Sequence, residues 1–174
     1  MAIIFKPNHK RVIDALTDIM QTEYAGTPIL FENPENFRSR SPQFFSLIPG
    51  SASLLQNYSG GSLREYQVAI RYYLRKPRLI NYRTNIFDYM SDRGERLTRL
   101  INNNTKYEDE NNSFSELDLS FGTLADVFSS IVTYRWHNAR IENINYSPTR
   151  SDLENKRDLQ IFEANFICNV MELT

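Results

Sequence analysis

The sequence predicts an α+β domain: a mixed, mainly antiparallel sheet with two helices packed on one face. Two segments, near residues 8–24 and 84–102, repeat apolar residues at the three-and-four spacing of a one-sided helix. Three others, near 63–75, 132–146 and 158–171, alternate with the period of two that marks a strand. Proline, glycine and polar clusters punctuate them into the order helix, three strands, helix, a short optional strand, then two strands. Antiparallel hairpins with helices laid on one face are the natural packing for that order.

The first helix runs from about Asn8 to Tyr24, with Val12, Ile13, Leu16, Ile19, Met20 and Glu23 in its stripe. Asn8 after Pro7 is a capping residue, and Gly26 and Pro28 stop the helix. Thr27–Asn33 and Gln43–Ile48 read as short strands closed by Pro34 and Pro49, with a polar loop at 35–42 between them. The glycines and serines of 50–62 predict a flexible loop. From Leu63 to Arg75, Tyr66, Val68, Ile70, Tyr72 and Leu74 alternate with wetter residues, giving a long strand that Pro77 ends.

The second helix places Ile86, Phe87, Met90, Leu97, Leu100 and Ile101 on its apolar side, with Thr84 or Asn85 as cap. Gly94 costs that helix about 1 kcal/mol relative to alanine, which marks a close approach to another backbone. Beyond a polar run at 108–112, Phe114–Phe121 fits a short strand and Leu124–Ser129 a helical turn. In Val132–Tyr146 the phase slips around Asn143, as a bulge makes it do. In Asp158–Met171, Phe162, Ala164, Phe166, Cys168 and Val170 share one face, while Ile161, Ile167 and Met171 imply cover on the other.

At 174 residues the chain fits one domain, 1–174, large enough to bury a core. Its 11 Phe and 10 Tyr suit sheet faces and interfaces, where a tyrosine ring packs and its hydroxyl reaches water or a partner. A net charge of −1 argues against a dedicated nucleic-acid binder. Cys168 stands alone, so no intramolecular disulfide forms, and it reads as a small buried hydrophobe. No apolar run reaches the length of a membrane span, and the start lacks the pattern of a signal peptide. A cytosol-like compartment is the expectation.

Catalytic patterns are absent from the sequence. Gly60-Gly61 precedes a strand and no Walker lysine follows, so no phosphate loop is present. His9 and His137 stand apart, without zinc-ligand spacing, and read as a solvated helix-start residue and a strand-face residue. Gly50-Ser51-Ala52-Ser53 lacks the second glycine of a nucleophile elbow. Glu65, Glu116 and Asp118 are the only acidic set worth testing for a metal-dependent nuclease. Gln67 stands where such a site has lysine. No cofactor and no metal are expected.

Charge is segregated instead. Residues 64–106 hold ten Lys or Arg against four acidic residues, with Arg75, Lys76, Arg78 and Arg83 clustered after the long strand. Residues 108–126 hold six acidic residues and no basic one, beginning with Glu108, Asp109 and Glu110. Two solvated faces account for this as readily as a seam in which one subunit's basic cluster meets its neighbour's acidic segment. A head-to-tail contact of the second kind closes into a ring when the rotation fits.

Pro28-Ile29-Leu30-Phe31-Glu32-Asn33 after the first helix, followed by a strand near Phe44–Ile48, resembles the opening of the tail-terminator (tail-completion) proteins of tailed bacteriophages. Tyr66-Gln67-Val68-Ala69-Ile70-Arg71-Tyr72 looks like the long middle strand of that family. The following helix and the closing Ile161–Val170 strand match in order. The stretch around 102–130 departs from the family as an insertion.

The resemblance implies a non-enzymatic virion protein, assembled in the host cytoplasm. It implies a hexameric ring at the top of the tail, seated on the tail-tube protein (and the sheath in a contractile tail) and joined to a head-completion protein. DNA would be met only as it passes through the lumen. Arg75, Lys76, Arg78, Arg83, Glu108, Asp109 and Glu110 are the expected subunit contacts. Tyr58, in the 50–62 loop, is expected to order on docking with a neighbouring ring. The alternatives are another connector ring of the same neck, or the small nuclease.

Overall fold

The computed structural model describes residues 8–31, 41–59, 61–75, 86–109, 134–147 and 159–173. Two helices, α1 (Asn8–Glu23) and α2 (Ile86–Asn103), accompany a six-stranded sheet. Its strands are β1 (Ile29–Phe31), β2 (Gln43–Tyr58), β3 (Gly61–Arg75), β4 (Tyr107–Asp109), β5 (Tyr134–Ser147) and β6 (Leu159–Leu173). They lie in the order β1-β2-β3-β6-β5-β4. Only β1 and β2 run parallel; the other four pairings are antiparallel. The mixed, mainly antiparallel α+β class read from the sequence is the observed one.

Both helices lie on one face of this sheet. Val12, Leu16 and Met20 of α1 and Met90, Leu97 and Ile101 of α2 share a core with the inward residues of β2, β3, β5 and β6. The register shows why the alternating strands fit. Val68 lies opposite Phe166 and Ile70 opposite Ala164, so a large residue meets a smaller one across the central ladder. Tyr72 stacks on Phe162 with ring centroids 5.2 Å apart. Each large aliphatic side chain buried here contributes about 1.5–3 kcal/mol. On the opposite face Phe44 stacks on Tyr73 at 4.7 Å, with Ile161 and Leu30 beside them, so the second face is partly covered as Ile161 and Ile167 implied.

α1 ends as the sequence predicts. Gly26 takes a φ of +82°, and the Thr27 amide donates to the Tyr24 carbonyl at 2.9 Å. α2 ends on Asn104, whose amide reaches the Ile101 carbonyl and whose side chain donates to Leu100 at 2.8 Å.

Several expectations need correction. Residues 50–58, expected in a loop, are strand: β2 runs on through Pro49 to Tyr58 and pairs with β3 down to Gly61. Pro49 does not end the strand because the ladder shifts register between Pro49 and Ala52. β1 pairs with β2 only as far as Leu47, so Pro49 stands at a bulge with no outer strand beside it among the described residues and forfeits no ladder bond. Gly94 approaches a side chain, that of Tyr146, and not a backbone. Phe87 points out of the core, 57% exposed, and Glu23 is exposed and pairs with Arg96 at 3.6 Å. His9 is half-buried: it meets Tyr66 edge-on, and its Nε2 lies 3.1 Å from the Gln67 carbonyl.

β5 carries the bulge expected around Asn143 and a second one, between His137 and Arg140. At the second, Asn138 adopts a φ of 53°, a conformation asparagine tolerates better than most residues. The segments 114–121 and 124–129 lie outside the described residues. Among the described residues a short strand follows α2 at Tyr107–Asp109.

Candidate assembly interface

The β2–β3 hairpin builds the most exposed part of the described molecule. Every residue from Pro49 to Tyr58 is exposed, although each belongs to a strand. A strand in a sheet normally hides alternate side chains. Here neither helix reaches the far half of β2, and β1 flanks that strand only at Phe45–Leu47. An arm results, with Leu54 and Leu55 each 49% exposed and Tyr58 46%. From Pro49 to Leu63 the sequence carries no charge. Tyr58 is therefore the last residue of a paired strand, opposite Gly61, with its hydroxyl donating to Gln56 Oε1 at 2.8 Å.

The charged residues fall elsewhere. Arg75 closes β3 opposite Leu159, at one end of the sheet. Glu108 and Asp109 lie on the edge strand β4, opposite Arg135 and Tyr134, level with the other end of β3. Strand spacing puts the two backbones about 40 Å apart along the strands and about 14 Å across them. Any contact between these two places is between copies. Lys76, Arg78, Arg83 and Glu110 lie outside the described residues.

Of the acidic residues weighed for catalysis, Glu65 lies among the described residues. Glu65 lies on the face away from the helices, opposite Asn169, 3.5 Å from the Arg140 guanidinium. Arg140 also holds Glu142 at 2.9 Å. Glu116 and Asp118 lie outside the described residues. Among the described residues no three His, Cys, Asp or Glu side chains stand close enough to share a metal. Cys168 is fully buried, and burial pushes its thiol well above the usual range, so it carries no thiolate.

A polar cluster where α2 crosses β2 and β3 is a fastening. Gln43 Oε1 accepts hydrogen bonds from the Tyr72 and Tyr89 hydroxyls at 2.7 and 2.9 Å. Arg93 donates to Tyr89 at 3.1 Å and lies over the rings of Tyr24 and Tyr89. Burial raises the Tyr24 and Tyr72 phenols far above their ordinary value. Phenols held protonated donate hydrogen bonds and take no proton.

The chain matches no protein-family model and no curated protein. No helix among the described residues is long and apolar enough to cross a membrane. The feature that sequence reasoning missed is the arm. Its signal was the charge-free run from Pro49 to Leu63, read as a loop because glycine and serine dominate it.

Proposed function

We propose that this chain is a non-enzymatic structural subunit of a phage virion, a ring at the top of the tail. In this reading the ring, of six copies, ends tail-tube assembly and joins the tube to the head-completion protein. The observation that carries the reading is the arm: ten consecutive strand residues exposed, uncharged, and bearing three large apolar side chains. A lone subunit gains nothing from such an edge, which invites pairing with another chain. Two further facts support it. The element order and the long central strand are those of the tail-terminator resemblance. The basic end of β3 and the acidic β4 lie too far apart to meet within one chain, as a head-to-tail seam requires. Tail tube and head-completion protein are the proposed partners, with DNA only in the lumen and no cofactor.

Light-scattering mass of the purified chain, alone and mixed with tail-tube and head-completion proteins, tests this. A closed hexamer, alone or on the tube, is expected. A chain that stays monomeric with every tube and neck partner would overturn the reading and return Glu65 and Asp118 to consideration.

A further inference from the structure

The sheet has a second open stretch besides the arm. On the outer edge of β5, β4 pairs with Tyr134–Trp136 and the Ala139 amide donates to the Thr105 carbonyl at 3.1 Å. From Arg140 to Ser147 that edge has no strand neighbour among the described residues. We propose that the β2 arm of one copy lies along this stretch of β5 in the next, seating Leu54 on the helix-side face against Phe87 and Tyr146 and carrying Tyr58 on the opposite face. The proposal rests on the ring reading and names a lateral contact different from the charged seam, whose two ends this docking leaves apart.

Four features of the chain select a second copy as the occupant. The first is polarity. β2, β3, β6 and β5 alternate in direction, so β5 runs antiparallel to β2. A neighbour set beside the sheet in the same orientation therefore offers its β2 to β5 as an antiparallel partner, without inversion. Repeating that step is a head-to-tail operation, which closes into a ring when each copy is also turned by a fixed rotation that fits.

The second is where the short strands sit. β1 covers β2 at Phe45–Leu47, near one end of the sheet, and β4 covers β5 at Tyr134–Trp136, near the other. With the neighbour shifted along the strand direction, its arm continues the line of β4, and its β1 continues the line of β5. The two covers lie at diagonal corners, where they leave the joint free.

The third is where apolar surface is exposed. Among the described residues the large exposed hydrophobics are Leu54, Leu55, Tyr58 and Phe87. Three lie on the arm. The fourth meets Tyr146 of the open β5 stretch edge-on, ring centroids 5.6 Å apart.

The fourth is charge. The arm has none. The β5 stretch has Arg140 and Glu142, which neutralise each other at 2.9 Å. Strand addition of this kind takes its affinity from main-chain hydrogen bonds and its selectivity from side-chain seats. Both stretches carry bulges, which break long ladders into short runs. Indiscriminate edge stacking is discouraged, and a partner with matching side chains is still admitted.

The test places one cysteine on each stretch of the same chain, Ser53→Cys with Asn145→Cys and Gln56→Cys with Asn145→Cys, alongside the single-cysteine controls. All three target positions are strand residues, and Cys168 is too buried to interfere. Under mild oxidation on assembled rings, at least one double variant should give a ladder of covalent oligomers up to the closed ring. The singles should stop at dimers. In parallel, Leu54→Lys with Leu55→Lys should raise the concentration needed for assembly at least tenfold while leaving the urea midpoint of the monomer unchanged. Rings that form normally from the lysine variant, with no ladder from either double variant, would overturn the arm contact and leave the ring reading standing. A wild-type chain that forms no ring with any tube or neck partner would overturn both.

Discussion

Gly94 of α2 lies directly beneath the hydroxyl of Tyr146 in β5. A Cβ at position 94 would fall well inside contact distance of that oxygen, and Ile144 Cδ1 would lie 3.3 Å away. The glycine that weakens the helix locally is what lets α2 settle on the sheet. Alanine would gain the helix about 1 kcal/mol and lose more to overpacking, for a net loss of about 1–2 kcal/mol. Urea denaturation of Gly94→Ala measures it. Adding Tyr146→Phe removes the colliding oxygen, and the double variant should recover part of the loss. Simple additivity would show that the contact is not the cause.

Alkaline pH should unfasten the Gln43 cluster. The phenols of Tyr24 and Tyr72 are raised from an ordinary 10.0, chiefly by burial, and that of Tyr146 is raised as well. A folded-state value above the unfolded one gives stability that is complete below the unfolded value. As pH rises past about 10, the unfolded chain releases protons that the folded chain keeps, so stability falls by at most about 1.4 kcal/mol per pH unit per phenol. Urea midpoints should hold between about pH 8 and 9.5 and drop steeply above that. Tyr72→Phe, although less stable at neutral pH, should show a shallower drop. An equal slope in both proteins would remove Tyr72 from the account.

Trp136 is the only tryptophan and is completely buried. Its Nε1 donates to the Asn104 carbonyl at 3.1 Å, and its ring meets Phe166 at 5.3 Å, so it ties the end of α2 to the sheet. Native emission should be blue-shifted and resist acrylamide quenching. Trp136→Phe should cost about 1–2 kcal/mol, because it leaves that carbonyl without its donor, and Trp136→Ala about 3–5. A red-shifted, readily quenched native spectrum would contradict the burial.

If the charged segments form a seam between copies, reversing Arg75 and Lys76 to glutamate should weaken assembly about tenfold at low salt and less at high salt. Adding Glu108→Lys and Asp109→Lys to the same chain should restore it. Reversal without effect on the mass distribution at moderate salt would assign these residues to a solvated surface.

Much of the fold could be read in the sequence, because periodicity is a local property that burial imposes directly. Spacing alone gives helices at 8–24 and 84–102 and strands at 63–75 and 158–171, and the structure has them at 8–23, 86–103, 61–75 and 159–173. It also gives the bulge near Asn143, since a slip in phase has few other causes. The charge-free character of 49–63 was equally plain.

What only the tertiary structure decided was which residues those patterns would meet. Glycine and serine at 50–62 predict a loop when read locally. They form a strand because β3, the most strongly patterned segment of the chain, offers them a ladder. Gly94 needed Tyr146, 52 positions away, before its smallness had a reason. Phe87 fits an apolar helical stripe, yet it stands 57% exposed and meets the sheet only through the ring of Tyr146. Sequence records each element's own preference, whereas pairing, register and exposure belong to two elements at once and are fixed only when the sheet is assembled.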